Sequence, residues 1–267
     1  MTPTLARRAG AVTLIAATAA ALAGCGGGIG ARLTYDDTEK VKVSEIVLTG
    51  GSGDVTVTTA AVSETRIKRI VRTDGSADPQ ASYRLAGTVL TLDTSCGERC
   101  MVSYEIQAPT GVGVRGRLGS GNVTLTDIAT AEVTVGSGEV LIDRASGAVS
   151  MKSGSGNIVA NDLLGGATLV AGSGDVEARG LGGGKAVRAQ TGSGDVAVEL
   201  VQAASVTART GSGDVELTVP DGAYQVKTRN GSGNAELLGL VDDPTAKNII
   251  EVQTGSGDAT ITATPGR

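Results

Sequence analysis

Residues 187–217 read VRAQTGSGDVAVELVQAASVTARTGSGDVEL, and the reading of that stretch decides the fold. It holds two copies of one unit, with the phrase Gly-Ser-Gly-Asp starting at Gly192 and again at Gly211. Before the first phrase Val187, Ala189 and Thr191 alternate with polar residues, and after it Val196 and Val198 do the same. The second copy repeats this with Val206, Ala208 and Thr210, then Val215 and Leu217. Period-two alternation on both sides of a Gly-rich corner means two short strands per unit, each with one face inward. The inward parity slips by one across the corner. A chain that turns and shifts parity needs positive φ or a bulge, and Gly supplies both without steric cost.

Working outward, Gly-Ser-Gly followed by Asp, Asn or Glu occurs nine times, starting at Gly51, Gly119, Gly136, Gly154, Gly172, Gly192, Gly211, Gly231 and Gly255. From the second copy on, successive starts lie 17 to 24 residues apart. A near-constant period of this size is the mark of a solenoid in which each repeat is one turn. The predicted fold is all-β: a right-handed, single-stranded parallel β-helix with rungs of 17–24 residues and Gly-Ser-Gly-Asp/Asn corners. Val123, Val140, Ile158, Val176, Val196 and Val215 share one position after the corner and should form a buried column. The Ser of each phrase keeps the inward parity of the first strand, which predicts a hydroxyl ladder at the bend. The following residue, from Asp54 to Asp258, should face outward and bond its own backbone as Asx residues do in turns. Carboxylates stacked about 4.8 Å apart repel, and interposed Asn122, Asn157 and Asn234 relieve this without an ion, so no metal is expected.

Composition narrows the chemistry. The chain has no His, Phe or Trp and only four Tyr. Ser-His-Asp and Cys-His catalysis are therefore excluded, and no set of aromatic platforms exists for stacking bases or sugars. Gly111-Val112-Gly113-Val114-Arg115-Gly116 spells a dinucleotide fingerprint, but a strand and a corner follow it rather than a helix. Gly182-Gly183-Gly184-Lys185 is read as an outer turn between rungs, since Ala186 stands where a phosphate loop needs Ser or Thr. No cofactor is expected. The alternative to a non-enzymatic protein is a polysaccharide-active β-helix, a lyase or hydrolase, which would need paired carboxylates, or a Ca²⁺ site with a basic residue, in one groove.

The amino-terminal stretch reads as an address. Arg7 and Arg8 precede the apolar run Ala9–Ala21, too short for a stable membrane span, and Leu22-Ala23-Gly24-Cys25 matches a bacterial lipobox. Residues 1–24 are thus a lipoprotein signal peptide, with Cys25 lipidated and residues 25–34 a Gly-rich tether. Residues 35–267 are the β-helix domain, with irregular first rungs or a cap over 35–110 and regular rungs over 111–264. The expected location is the extracytoplasmic face of the bacterial cell membrane. Removing residues 1–24 takes two arginines from 23 basic groups and none from 28 acids, leaving a net charge of −7. That argues against nucleic acid as a partner. Cys96 and Cys100 bracket a tight loop and should be disulfide-bonded outside the cytoplasm.

The Gly-Ser-Gly-Asp/Asn-Val corners, with Tyr104–Gly111 and Val219–Gly222 as strands ending in Pro-x-Gly, resemble a family of bacterial envelope domains labelled "putative adhesin". The resemblance spans about residues 35–264 and implies a parallel β-helix, with no established ligand or reaction.

Charge is patterned as well. Outward positions two and four before the corners carry Arg115, Arg117, Lys152, Arg188, Arg209, Lys227 and Arg229, against Glu132 and Glu251. Positions five and seven after them carry Asp143, Glu177, Glu199, Glu216 and Glu236, against Arg179. Stacking predicts a basic stripe and an acidic stripe, the basic one a candidate site for an anionic envelope polymer or lipid head group.

Overall fold

The computed structural model describes residues 31–74, 82–97 and 99–265, so the expected signal peptide and the expected lipidation site Cys25 lie outside the described residues. Seven strands precede the regular array: β1 (Ala31–Glu39), β2 (Glu45–Thr49), β3 (Val55–Ala60), β4 (Thr65–Thr73), β5 (Tyr83–Ala86), β6 (Val89–Asp93) and β7 (Cys100–Pro109). Six regular rungs follow: β8 (Gly113–Ser120) with β9 (Val123–Ile128), β10 (Thr130–Ser137) with β11 (Val140–Ala145), β12 (Val149–Ser155) with β13 (Ile158–Leu163), β14 (Ala167–Ser173) with β15 (Val176–Leu181), β16 (Val187–Ser193) with β17 (Val196–Leu200), and β18 (Val206–Ser212) with β19 (Val215–Pro220). The last two are β20 (Tyr224–Ser232) with β21 (Ala235–Leu238), and β22 (Asn248–Ser256) with β23 (Ala259–Thr264). First strands of the rungs form an 11-stranded sheet and second strands a 12-stranded sheet, parallel throughout the array. The architecture is the parallel β-helix that the repeat predicts.

Each rung works as its alternation requires. Val123, Val140, Ile158, Val176, Val196 and Val215 stand in register and are essentially inaccessible to water, and the column continues through Val55 on one side and Ala259 on the other. The core between the sheets is Val, Ile, Leu and Ala with few large side chains, which suits a thin stack. At the corner the second Gly of each phrase is indispensable. Gly213 has φ +130°, and a Cβ there would lie 2.2 Å from the Gly194 carbonyl oxygen of the rung below.

Two expectations about the corner are corrected. The Ser residues of the phrase are exposed rather than inward, because the interior has already closed where the two sheets meet. The inward hydroxyls belong two residues earlier: Thr191, Thr210 and Thr254 donate to the carbonyls of Gly174, Gly194 and Gly213 at 2.7, 2.8 and 3.0 Å. The Asx residues do not bond their own backbone. Their Oδ1 accepts the backbone N–H of the corresponding residue one rung on, as from Asp195 to Asp175 at 2.9 Å and from Asp214 to Asp195 at 2.8 Å. The same bond links Asp54 to Asn122, Asn122 to Glu139, and Asn157 to Asp175. An amide donor at each step offsets the repulsion between stacked carboxylates, and Asn serves as well as Asp because only one oxygen is used.

Stacking order departs from chain order at both ends. Rung β22–β23 lies against β18–β19, and β20–β21 is outermost, so the chain skips a place and comes back. The Asx ladder follows the spatial order, running from Asp214 to Asp258 to Asn234. The 24-residue interval between Gly231 and Gly255 provides the loop, residues 239–247, that makes the return. At the other end β2–β3 is sandwiched between β6–β7 and β8–β9. The β6–β7 rung lacks the Gly-Ser-Gly phrase, and its corner is closed instead by the Cys96–Cys100 disulfide, Cα–Cα 5.4 Å. Antiparallel strands finish this end: β4 and β1 on β7, and β5 on β6. The 35–110 segment is therefore two true rungs plus a cap. Residues 31–34 open β1 rather than extending the tether, because their backbone pairs with β4 from Ala31↔Thr73 onward.

Candidate functional site

Because side chains alternate across each strand, every second residue of the 11-stranded sheet faces solvent, and the predicted basic residues do project there. They do not form one stripe. Arg115 on β8 is ion-paired with Glu45 on β2, which raises its pKa, and Glu132 stands beside it on β10. Arg209 on β18 is paired with Glu251 at 2.7 Å, because the displaced rung brings β22 next to β18. Sequential stacking would have separated them by another rung. Arg117, Lys152, Arg188, Lys227 and Arg229 are exposed, and Arg188 also donates to Gln190 at 2.8 Å.

The structure thus splits the seven cations into two groups. Arg115, Arg117 and Lys152 surround a shallow depression with Glu132, Thr134 and Ser150. Gly116 also lines it, at φ +134°, where a Cβ would sit 2.1 Å from the Leu48 carbonyl oxygen. Any side chain there would push β2 and β8 apart. Arg188 lies four strands from β8 along the same face. Lys227 and Arg229 sit at the far end, on the outermost strand β20. The acidic positions on the 12-stranded sheet are also interrupted, with Arg179 bonded to Glu177 at 2.5 Å.

A further cluster was not legible in the sequence. At the outer edge, Asp127, Arg144 and Asp162 occupy equivalent places in successive rungs, all with positive φ (58°, 62° and 54°), followed by Gly180 at 67°. Arg144 makes a bidentate pair with Asp127 at 2.6 and 3.0 Å and also bonds Asp143. Two carboxylates, Asp127 and Asp162, and the Arg144 guanidinium thus line one groove, the setting the polysaccharide-active alternative asks for. Their electrostatics run the other way. The hydrogen bond from Arg144 lowers the Asp127 carboxyl, whereas a general acid for glycoside cleavage needs a raised one. The arrangement clips a tight left-handed corner, where Asp tolerates positive φ and Gly180 needs no help. Among the described residues no group of three or more Cys, Asp or Glu is placed to hold a metal ion.

Fold and surface together define a class: a β-helical solenoid with a charged, mostly flat exterior. The chain belongs to the Toastrack DUF4097 family, whose model matches residues 113–263. It is similar in structure to a "putative adhesin" from Bacteroides fragilis, at 18% identity and a TM-score of 0.52, over 86% of this chain and 97% of that one. A "putative cell adhesion protein" from Clostridium sporogenes aligns at 14% identity over 86% of this chain and 100% of its own, with a TM-score of only 0.31. No curated protein matches the chain.

Proposed function

We propose that this is a non-enzymatic, lipid-anchored protein of the bacterial envelope. It is held by Cys25 on the extracytoplasmic face of the membrane and presents its solenoid for adhesion, scaffolding or envelope-associated binding. The observation that carries the reading is the position of β1. Its Ala31 pairs with Thr73, which pairs with Cys100, so β1 starts at the corner of the capped end. Cys25 lies six residues earlier, a reach of about 20 Å at most. An anchor there would hold the cap near the lipid surface. The adhesin names of the structurally similar proteins are in keeping with this role.

Within that role the depression around Gly116 is the binding site, and its ligand is an anionic polymer or head group engaged by Arg115, Arg117 and Lys152. Mass spectrometry of the mature protein tests the anchor. The amino-terminal residue should be Cys25 carrying a diacylglycerol, and Cys25→Ser should release the protein in soluble form. An unmodified terminus starting elsewhere overturns the reading.

A further inference from the structure

The two ends of the solenoid are finished differently. At the cap, Leu33, Tyr35, Tyr83 and Leu85 fold against the core. At the other end the last rung is covered only in part, by the loop 239–247, whose Leu240 is buried against the core. Leu237 occupies the inward position held by Leu217 and Ile261, yet is 39% exposed where those two are 1% and 0%. Ala235 ends the Val column and is also exposed. The loop 239–247 covers only the start of β20, where Asp242 accepts the Val226 N–H at 2.8 Å. From Lys227 on, β20 has β22 on one side and no strand on the other, and β21 has only β23. An uncovered pair of parallel edges with apolar residues between them is a template for strand addition.

We infer that this open end docks a second copy of the same chain, end to end, across a twofold axis. A foreign strand would cover one edge and leave the interior open, whereas an identical end covers both edges and Leu237 together. Two twofold arrangements are available. With the axis crossing the two sheets, β20 lies against β20 of the second copy, and Lys227 and Arg229 meet themselves. With the axis running along the strands toward the corner, β20 lies antiparallel to β21 of the second copy, because β20 runs toward the corner and β21 away from it. Arg229 and Lys227 then face Glu236. Charge selects the second arrangement, since like charges across a strand pair destabilise and opposite charges stabilise. Combined with the anchor at Cys25, which is a separate proposal, such a pair places the two caps at opposite extremes and joins two facing surfaces.

The test is sedimentation of the full-length chain in detergent over a concentration series, which is indifferent to acylation. The wild type should form a dimer, and Leu237→Lys should weaken it at least about tenfold. Lys227→Glu with Arg229→Glu should do the same, and adding Glu236→Lys to that variant should restore association. Arg188→Glu, on the same sheet but away from the end, should leave the dimer intact. A wild type that stays monomeric throughout overturns the inference. So does a dimer indifferent to Leu237→Lys, or one that the charge swap fails to restore.

Discussion

Val196 and Ala197 are neighbours in the chain with opposite surroundings, and the contrast tests the rung geometry. Val196 is fully buried between Val176 and Val215 in the column. Ala197 faces out between Glu177 and Glu216 on the adjacent strands. In Val196→Asp a carboxylate enters an apolar interior with no donor beside it, which costs several kcal/mol. For a domain of this size about 2–4 °C of melting temperature accompanies each kcal/mol, so the transition should fall by roughly 10 °C or more. Ala197→Lys instead sets an ammonium between two carboxylates and should gain about 0.2–1 kcal/mol per pair at most. Thermal melts by circular dichroism read both. Hydrogen exchange should locate the damage in β14–β19 and leave β8–β11 protected, because a solenoid is stabilised by nearest-neighbour contacts. The reasoning is refuted if Val196→Asp melts with the wild type, or if Ala197→Lys is the more damaging change.

Other outcomes follow from single groups. Asp195→Ala removes the acceptor for the Asp214 N–H and should cost about 0.5–1.5 kcal/mol, with faster exchange of that amide, whereas Asp195→Asn should be near neutral. Burial pushes the Tyr104 phenol up to about 12 while its hydroxyl donates to the carbonyls of Ser82 and Asp93. The folded value lies above the unfolded value near 10, so this contribution is complete below about pH 10 and lost as pH rises toward 12. Denaturant melts across that window should fall less steeply for Tyr104→Phe than for the wild type. Reducing Cys96–Cys100 should cost about 2 kcal/mol on the loop-entropy estimate, with exchange rising first at the β6–β7 corner.

The rung was legible because its alternation and its Gly corner are local: Val187 to Leu217 specify two strands, a bend and an inward face without reference to any other rung. Stacking order was not legible, because every rung offers the same apolar column to its neighbours. Nothing in Val215 or Leu217 says whether Ala259 or Ala235 comes next. The only sequence trace of the displaced rung was the 24-residue interval ending at Gly255. That displacement is also why the continuous basic stripe failed, since it brings Glu251 within reach of Arg209. The missing phrase between Asp54 and Gly119 concealed the β6–β7 rung, whose corner is made by Cys96 and Cys100 instead of glycines. The Asp127–Arg144–Asp162 column was invisible because equivalence between those residues appears only once the rungs are stacked.

The central functional claim is that an anchored solenoid holds an anionic envelope component at the depression lined by Arg115, Arg117 and Lys152. Association of the acylated protein with isolated envelopes, measured against salt, tests it most directly, because exposed charges are screened over about 8–10 Å at physiological ionic strength. The account predicts binding that weakens as salt rises and that drops further, with a nearly unchanged melting temperature, when Arg115, Arg117 and Lys152 are all replaced by Gln. Wild-type association of that triple variant at low salt would contradict it.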